Sequence, residues 1–118
     1  MTDILVDTNI LVYCFDRKID LERVLDDFLQ QGFSLLTLKK CMDELLAIKR
    51  KDVESFFSSY KINIMDFNVG KNTDDTIIDF CRRNGCVVFT EDRNLIARTK
   101  GLGVKTISFR GKTLKFNS

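Results

Sequence analysis

At 118 residues the chain has the length of one domain with room for a buried core, and 44% hydrophobic against 31% charged residues excludes a disordered or fibrous chain. Its apolar runs are too short to span a bilayer, and the opening MTDILVD carries an acid where a signal peptide has a basic run, so the expectation is a cytoplasmic protein with no membrane partner. The net charge of +2 hides an asymmetry: residues 93–118 hold seven basic residues and no acid, while the first 92 hold 12 basic and 17 acidic residues.

The first element is ILV, residues 4 to 6, an apolar run that suits a strand buried on both faces of a parallel sheet. It runs directly into Asp7, which places a carboxylate at the strand's carboxyl end, where open α/β sheets bind ligands. Leu21, Val24, Leu25, Phe28 and Leu29 then repeat with the spacing of an amphipathic helix, with Gly32 as its expected stop. SLLTL (34–38) reads as a short strand, and Leu38, Cys41, Met42, Leu45 and Leu46 predict a helix over 39–49. Residues 52–60 suggest a shorter helix, and INIMDF (62–67) alternates as a strand does. After a loop, a Thr/Asn cap opens a helix that ends at Gly85. CVVFT (86–90) suits a buried strand, EDRNLIARTKG a helix, VKTISF a strand, and RGKTLKF a short basic strand or tail. Strands alternating with helices predict a single α/β domain over 1–118, three layers deep, with a mostly parallel central sheet.

The chemistry lies with carboxylates. There is no histidine, and Cys14, Cys41, Cys81 and Cys86 match neither a zinc pattern nor a redox CxxC, so they read as reduced core thiols. Two apolar strands end in acids, the first in Asp7 and the later one in Glu91 and Asp92; parallel strands bring such ends to one edge. Asp74 and Asp75 fall in the first turn of a helix that starts at the same edge. Glu44 sits at the border of its helix's apolar face, from which it can lean into a cleft, whereas Asp43 points away. Singly, each acid is also explained as a helix cap, a complement to a helix dipole or a surface charge. Jointly they form an oxygen-rich cluster suited to Mg2+ or Mn2+, which orients and acidifies water beside a phosphate. The basic C-terminal segment suits a polyanion partner.

VDTNIL, the DELL helix, TDDTIIDFC, FTEDRNL and GVKTISFRG occur in the order and spacing of a PIN domain, and the chain resembles that family along essentially its whole length. The resemblance implies a divalent-metal-dependent endoribonuclease that hydrolyses RNA through metal-activated water. It implies Asp7, Glu44, Asp75 and Asp92 as the catalytic and metal-holding quartet, with Thr8, Asn9 and Thr90 in support and Arg93 reaching a phosphate. Arg98, Arg110 and Lys112 in the basic segment are further expected RNA contacts. Helix phase aligns Asp74 with Ile77, Ile78 and Cys81, while the family pattern favours Asp75, so both stay open as ligands. Glu91 stands where the family often has a polar neutral residue and is expected to add negative charge near the site.

The ending is more similar to PIN proteins akin to ribosomal-RNA-processing nucleases than to a VapC toxin; a toxin role would bring an antitoxin or other protein partner, and a homodimer is an expectation of the family. For Phe109 and Phe116, core packing is favoured over stacking on bases. Two other functions compete. A haloacid-dehalogenase-type phosphatase also begins with an aspartate after its first strand, but needs a second aspartate where this chain has Asn9. A non-catalytic PIN scaffold that binds RNA or protein would have lost acids that are present here.

Overall fold

The computed structural model describes residues 1–58, 60–68 and 72–117, without the side chains of 56 and 57. In chain order the elements are β1 (Thr2–Val6), α1 (Thr8–Asp16), α2 (Leu21–Leu29), β2 (Phe33–Leu38), α3 (Lys39–Ala47) and α4 (Lys51–Phe57). They continue with β3 (Ile62–Met65), α5 (Thr73–Asn84), β4 (Val87–Phe89), α6 (Arg93–Thr99), β5 (Thr106–Arg110) and β6 (Thr113–Asn117). The strands form one six-stranded sheet in the order β3-β2-β1-β4-β5-β6, parallel throughout except for the β5–β6 hairpin. The loop expected around 69–71 and residue 59 of the expected third helix lie outside the described residues.

Alternation along β1 builds the core on both faces. Ile4 and Val6 join Ile10, Leu25, Val53 and Phe89 on one side, while Leu5 joins Ile77, Cys81, Val88 and Leu95 on the other. Residues Ile4 to Val6 are fully buried, which is why this strand shows no polar alternation in the sequence. α1, α2 and α4 therefore cover one face and α5 and α6 the other, the three-layer α/β/α arrangement anticipated above. The cysteines are free and buried in these two clusters, and burial pushes the thiols of Cys14 and Cys41 up to about 12 and about 11. No helix among the described residues is long and apolar enough to cross a membrane.

Two local expectations differ from the structure. α1 was not anticipated: Asp7 caps it through its own carboxylate, which accepts from Thr8 N at 2.8 Å. α2 ends at Gln30 rather than running on to Gly32; Gln30 takes a left-handed conformation (φ 53°) and its N–H closes on the Asp26 carbonyl at 2.9 Å. Gly85 does end α5 as expected, at φ 70° with its N–H on the Cys81 carbonyl.

Candidate active site

Register brings the first two site residues together. Val6 lies opposite Phe89 in the β1–β4 pairing, so the next residue of each strand, Asp7 and Thr90, meet just beyond the carboxyl edge. Asp7 N donates to the Phe89 carbonyl at 3.0 Å, and the Thr90 hydroxyl donates to Asp7 Oδ2 at 2.8 Å. The same Thr90 Oγ1 accepts from Asp92 N at 3.1 Å and from Asn9 Nδ2 at 3.4 Å. Asn9 Oδ1 in turn accepts from Glu91 N at 3.3 Å, so one side chain at the start of α1 clamps the loop that leads into α6. Asp92 caps that helix: its Oδ1 accepts from Asn94 N at 2.9 Å and Leu95 N at 3.3 Å.

The remaining acids approach from the helices. Glu44 on α3 receives the Thr8 hydroxyl at 3.4 Å, which also lies 3.1 Å from the Cys41 carbonyl. Asp74, in the first turn of α5, lines the same open cleft of about 400 Å³ as Asp7, Glu44 and Asp92. Thr8, Asn9 and Thr73 contribute polar wall, and Val12 and Ile48 the apolar rim. Of these, Thr73, Val12 and Ile48 were not singled out in the sequence as site residues; Ile48 is 58% exposed, an apolar residue at a cleft rim.

Electrostatics follow from burial. Asp7 is only 7% exposed, and its carboxyl is pushed up to about 6, first by burial, then by the negative charges of Asp74 and Glu44. The bonds from Thr90 and Thr8 oppose that rise without cancelling it. Asp74 is likewise held above the ordinary carboxylate range, by burial first and by Asp92 next. No described Lys or Arg pairs with Asp7, Glu44, Asp74 or Asp92, so the cleft is a concentration of negative charge partly removed from water.

Three expectations are relocated by the structure. Asp75 does not line the cleft with the others; its Oδ1 pairs with Arg98 of α6. One residue in a helix rotates the side chain by about 100°, which is enough to turn Asp75 from the cleft that Asp74 faces. Arg98 is accordingly engaged in an ion pair within the protein. Glu91, expected to charge the cleft, points elsewhere: its Oε1 accepts from Phe109 N at 2.6 Å on the far side of the loop. Phe109 itself stacks on Tyr13 with centroids 4.7 Å apart, and Phe116, half exposed, leans on Phe28 at 5.0 Å.

The donor set of carboxylates, hydroxyls and the Asn9 amide suits a hard divalent cation, and the buried Asp7 is the group whose charge such a cation would stabilise. Among the described residues, no three acids converge closely enough to enclose an ion by themselves. An ion here would be held by one or two of the carboxylates and its own waters, as Mg2+ typically is.

Fold and site together define an α/β domain with an acidic cleft across the carboxyl ends of its central strands. No protein-family model matches the sequence, and no curated protein matches it. Solved structures do match the fold. The PIN domain endonuclease Utp24 superposes with a TM-score of 0.84 at 22% identity, over 97% of this chain and 90% of that one. A chain of VapBC2 from Rickettsia felis, solved with a DNA fragment from its promoter, gives 0.68 at 14% identity over 92% and 100%. A PilT N-terminus domain protein from the archaeon Sulfolobus solfataricus P2 gives 0.55 at 13% over 91% and 87%. The chain has the PIN-domain fold.

Proposed function

We propose that the chain is a Mg2+- or Mn2+-dependent endoribonuclease that hydrolyses RNA phosphodiester bonds in the acidic cleft. The observation that carries the reading is Asp7: a buried carboxylate at the carboxyl edge of the sheet, flanked by Asp74 and Glu44, whose ionisation calls for a cation. Asp7 with Asp74 or Asp92 would hold the ion directly, the remaining acids reaching it through its waters, and Asp74 would take the place that the sequence resemblance gives to Asp75. When bound, the cation supplies positive charge against the reacting phosphate and acidifies water next to it. Thr90 and the Thr8 N–H fix both oxygens of Asp7. Glu44, the exposed member, has Oε1 beside the Thr8 hydroxyl and offers Oε2 as the acceptor for a proton leaving the attacking water. A cytoplasmic role in RNA processing is preferred to a toxin role on the character of the chain's ending, and the likeness to the endonuclease Utp24 is higher than that to VapBC2. The toxin reading would add an antitoxin, and either role accommodates a homodimer.

The test is incubation of an end-labelled RNA containing a hairpin and single-stranded flanks, with Mg2+, Mn2+ or EDTA, beside DNA of the same sequence. Internal cleavage of the RNA that requires a divalent ion is the expected result. RNA binding without cleavage under either ion would favour the scaffold reading, for which the wide spacing of the acids is the supporting observation.

The two neighbouring aspartates give a second test. Asp74→Asn is expected to slow single-turnover cleavage at least about tenfold more than Asp75→Asn. Asp75→Asn should release Arg98 with little loss of stability, since exposed ion pairs contribute little. Abolished cleavage in a folded Asp75→Asn with Asp74→Asn still active would return Asp75 to the quartet.

A further inference from the structure

A second concavity lies one residue away from the acidic cleft and has the opposite charge. It occupies about 310 Å³ between α6 and the β5–β6 hairpin, and Arg93, Lys100 and Lys115 line it. Arg93 immediately follows Asp92 of the cleft, and consecutive Cα atoms are only about 3.8 Å apart. The two sites therefore flank the start of α6 on either side.

The walls are polar where the fold would otherwise favour apolar packing. Ser108 of β5 is 3% exposed and lies opposite Lys115 in the hairpin register, so both face the same side of the sheet. Asn117, two positions along β6, shares that face and donates from Nδ2 to Ser108 Oγ at 3.0 Å. Arg93 and Lys100 come from α6 at a spacing that keeps them on one side of the helix.

The charge there is only partly compensated, three cations facing the one carboxylate of Glu91. Among the described residues, none of Arg93, Lys100 and Lys115 enters an ion pair. Glu91 accepts from the Phe109 N–H through Oε1 and pairs with none of the three, so the hollow keeps a net positive charge. Three cations from two elements around one polar hollow repel each other until an anion enters.

We propose that this hollow is a phosphate-binding subsite for an RNA strand that also crosses the acidic cleft. The proposal rests on the nuclease reading for its RNA, and on the pocket alone for its phosphate. It keeps Arg93 as an RNA contact and puts Lys100 and Lys115 in place of Arg98, Arg110 and Lys112. Arg98 is held by Asp75; Lys112 lines a different groove, next to Asp27, and Arg110 does not line the hollow. Within the strand, the phosphate is either internal, a monoanion with two free oxygens, or terminal, with three free oxygens and a charge of about −2.

The experiment measures binding apart from cleavage. Fluorescence anisotropy with single-stranded RNA of one sequence, bearing a 5′-phosphate or a 5′-hydroxyl, is followed in EDTA across a salt series. The wild type is compared with Lys100→Gln/Lys115→Gln and with the control Lys105→Gln, which lines a separate concavity with Cys86 and Gly103. Melting curves of all three confirm that they are folded. The double variant is expected to lose about tenfold or more in affinity. Its slope of log K against log salt should flatten by about 0.7 for each phosphate contact removed, while Lys105→Gln stays near wild type. A loss confined to the 5′-phosphorylated strand assigns a terminal phosphate; equal loss for both strands assigns an internal one. Unchanged affinity and slope in the double variant, or an equal loss in Lys105→Gln, overturns the subsite. An RNA that binds through these lysines but is never cut would sink the nuclease reading and leave the subsite standing, and the reverse result would do the opposite.

Discussion

Asp7→Asn is expected to reduce divalent-dependent RNA cleavage by at least about a hundredfold, a loss of the order reported for removing metal-site groups, and at the same time to stabilise the metal-free protein. The two effects share one cause. The folded chain holds the Asp7 carboxyl at about 6 against 3.8 for the free group, chiefly because of burial. A folded-state value above the unfolded one means that the folded state keeps its proton longer as pH rises. Stability from this group is present below about pH 4, falls between about pH 4 and 6, and above that the ionised carboxylate costs on the order of 3 kcal/mol. Asparagine has nearly the same shape and carries no charge, so the variant escapes that cost, less what it loses in hydrogen bonds from Thr8 and Thr90. Thermal melting from pH 4 to 8 in EDTA should show the wild type weakening through this window and Asp7→Asn changing less. Adding Mg2+ or Mn2+ should raise the melting temperature of the wild type and have a smaller effect on the variant. A variant that cuts RNA as fast as the wild type would remove Asp7 from the chemistry.

Much of this site was legible because strand ends are legible. ILV before Asp7 and CVVF before Thr90 are uninterrupted apolar runs, and uninterrupted runs belong to strands buried on both faces, whose carboxyl ends share an edge. Helix phase and the family pattern left Asp74 and Asp75 both open as ligands; in the structure Asp74 lines the cleft and Asp75 pairs with Arg98. What stayed hidden depends on neighbours distant in the chain. The Asp75–Arg98 pair joins residues 23 apart, and nothing local to either reveals it. Glu91 sits next to Asp92, yet the loop between β4 and α6 sends the two side chains to opposite sides, and only the backbone path decides that. α1 escaped for another reason: TNILVYCFD is apolar around most of its circumference, with Ile10, Leu11 and Cys14 buried and Val12 and Phe15 packed on the same cluster. Such a segment lacks the one-sided period that marks a surface helix. The basic hollow had a visible trace in the spacing of Arg93 and Lys100, but its other wall comes from β6 and needed the hairpin register.

Thr90→Val should weaken both the fold and the metal dependence, although it touches no substrate. Thr90 is fully buried, and its hydroxyl is the joint at which Asp7, Asp92 and Asn9 meet. Valine preserves the branched shape on β4's outgoing end and removes the oxygen. Asp92 N and Asn9 Nδ2 then lose their acceptor, and Asp7 Oδ2 loses its donor. Each buried polar group left unpaired costs about 1–3 kcal/mol, and solvent entering the open cleft can relieve part of that. A net destabilisation of about 2 kcal/mol is expected by denaturant unfolding. The functional effect is positional: without the hydroxyl, Asp7 and Asp92 are no longer held in register with each other. The divalent concentration for half-maximal cleavage should rise by about 10- to 100-fold, the range seen when groups supporting metal ligands are lost. Thr90→Ser supplies the decisive comparison, because it keeps the oxygen and gives up only a methyl group. Serine should restore the metal requirement to within a few fold of wild type while remaining less stable through lost packing. Equal metal dependence in Thr90→Val and the wild type, with the variant folded, would show that Thr90 fills space and leaves the carboxylates to orient themselves.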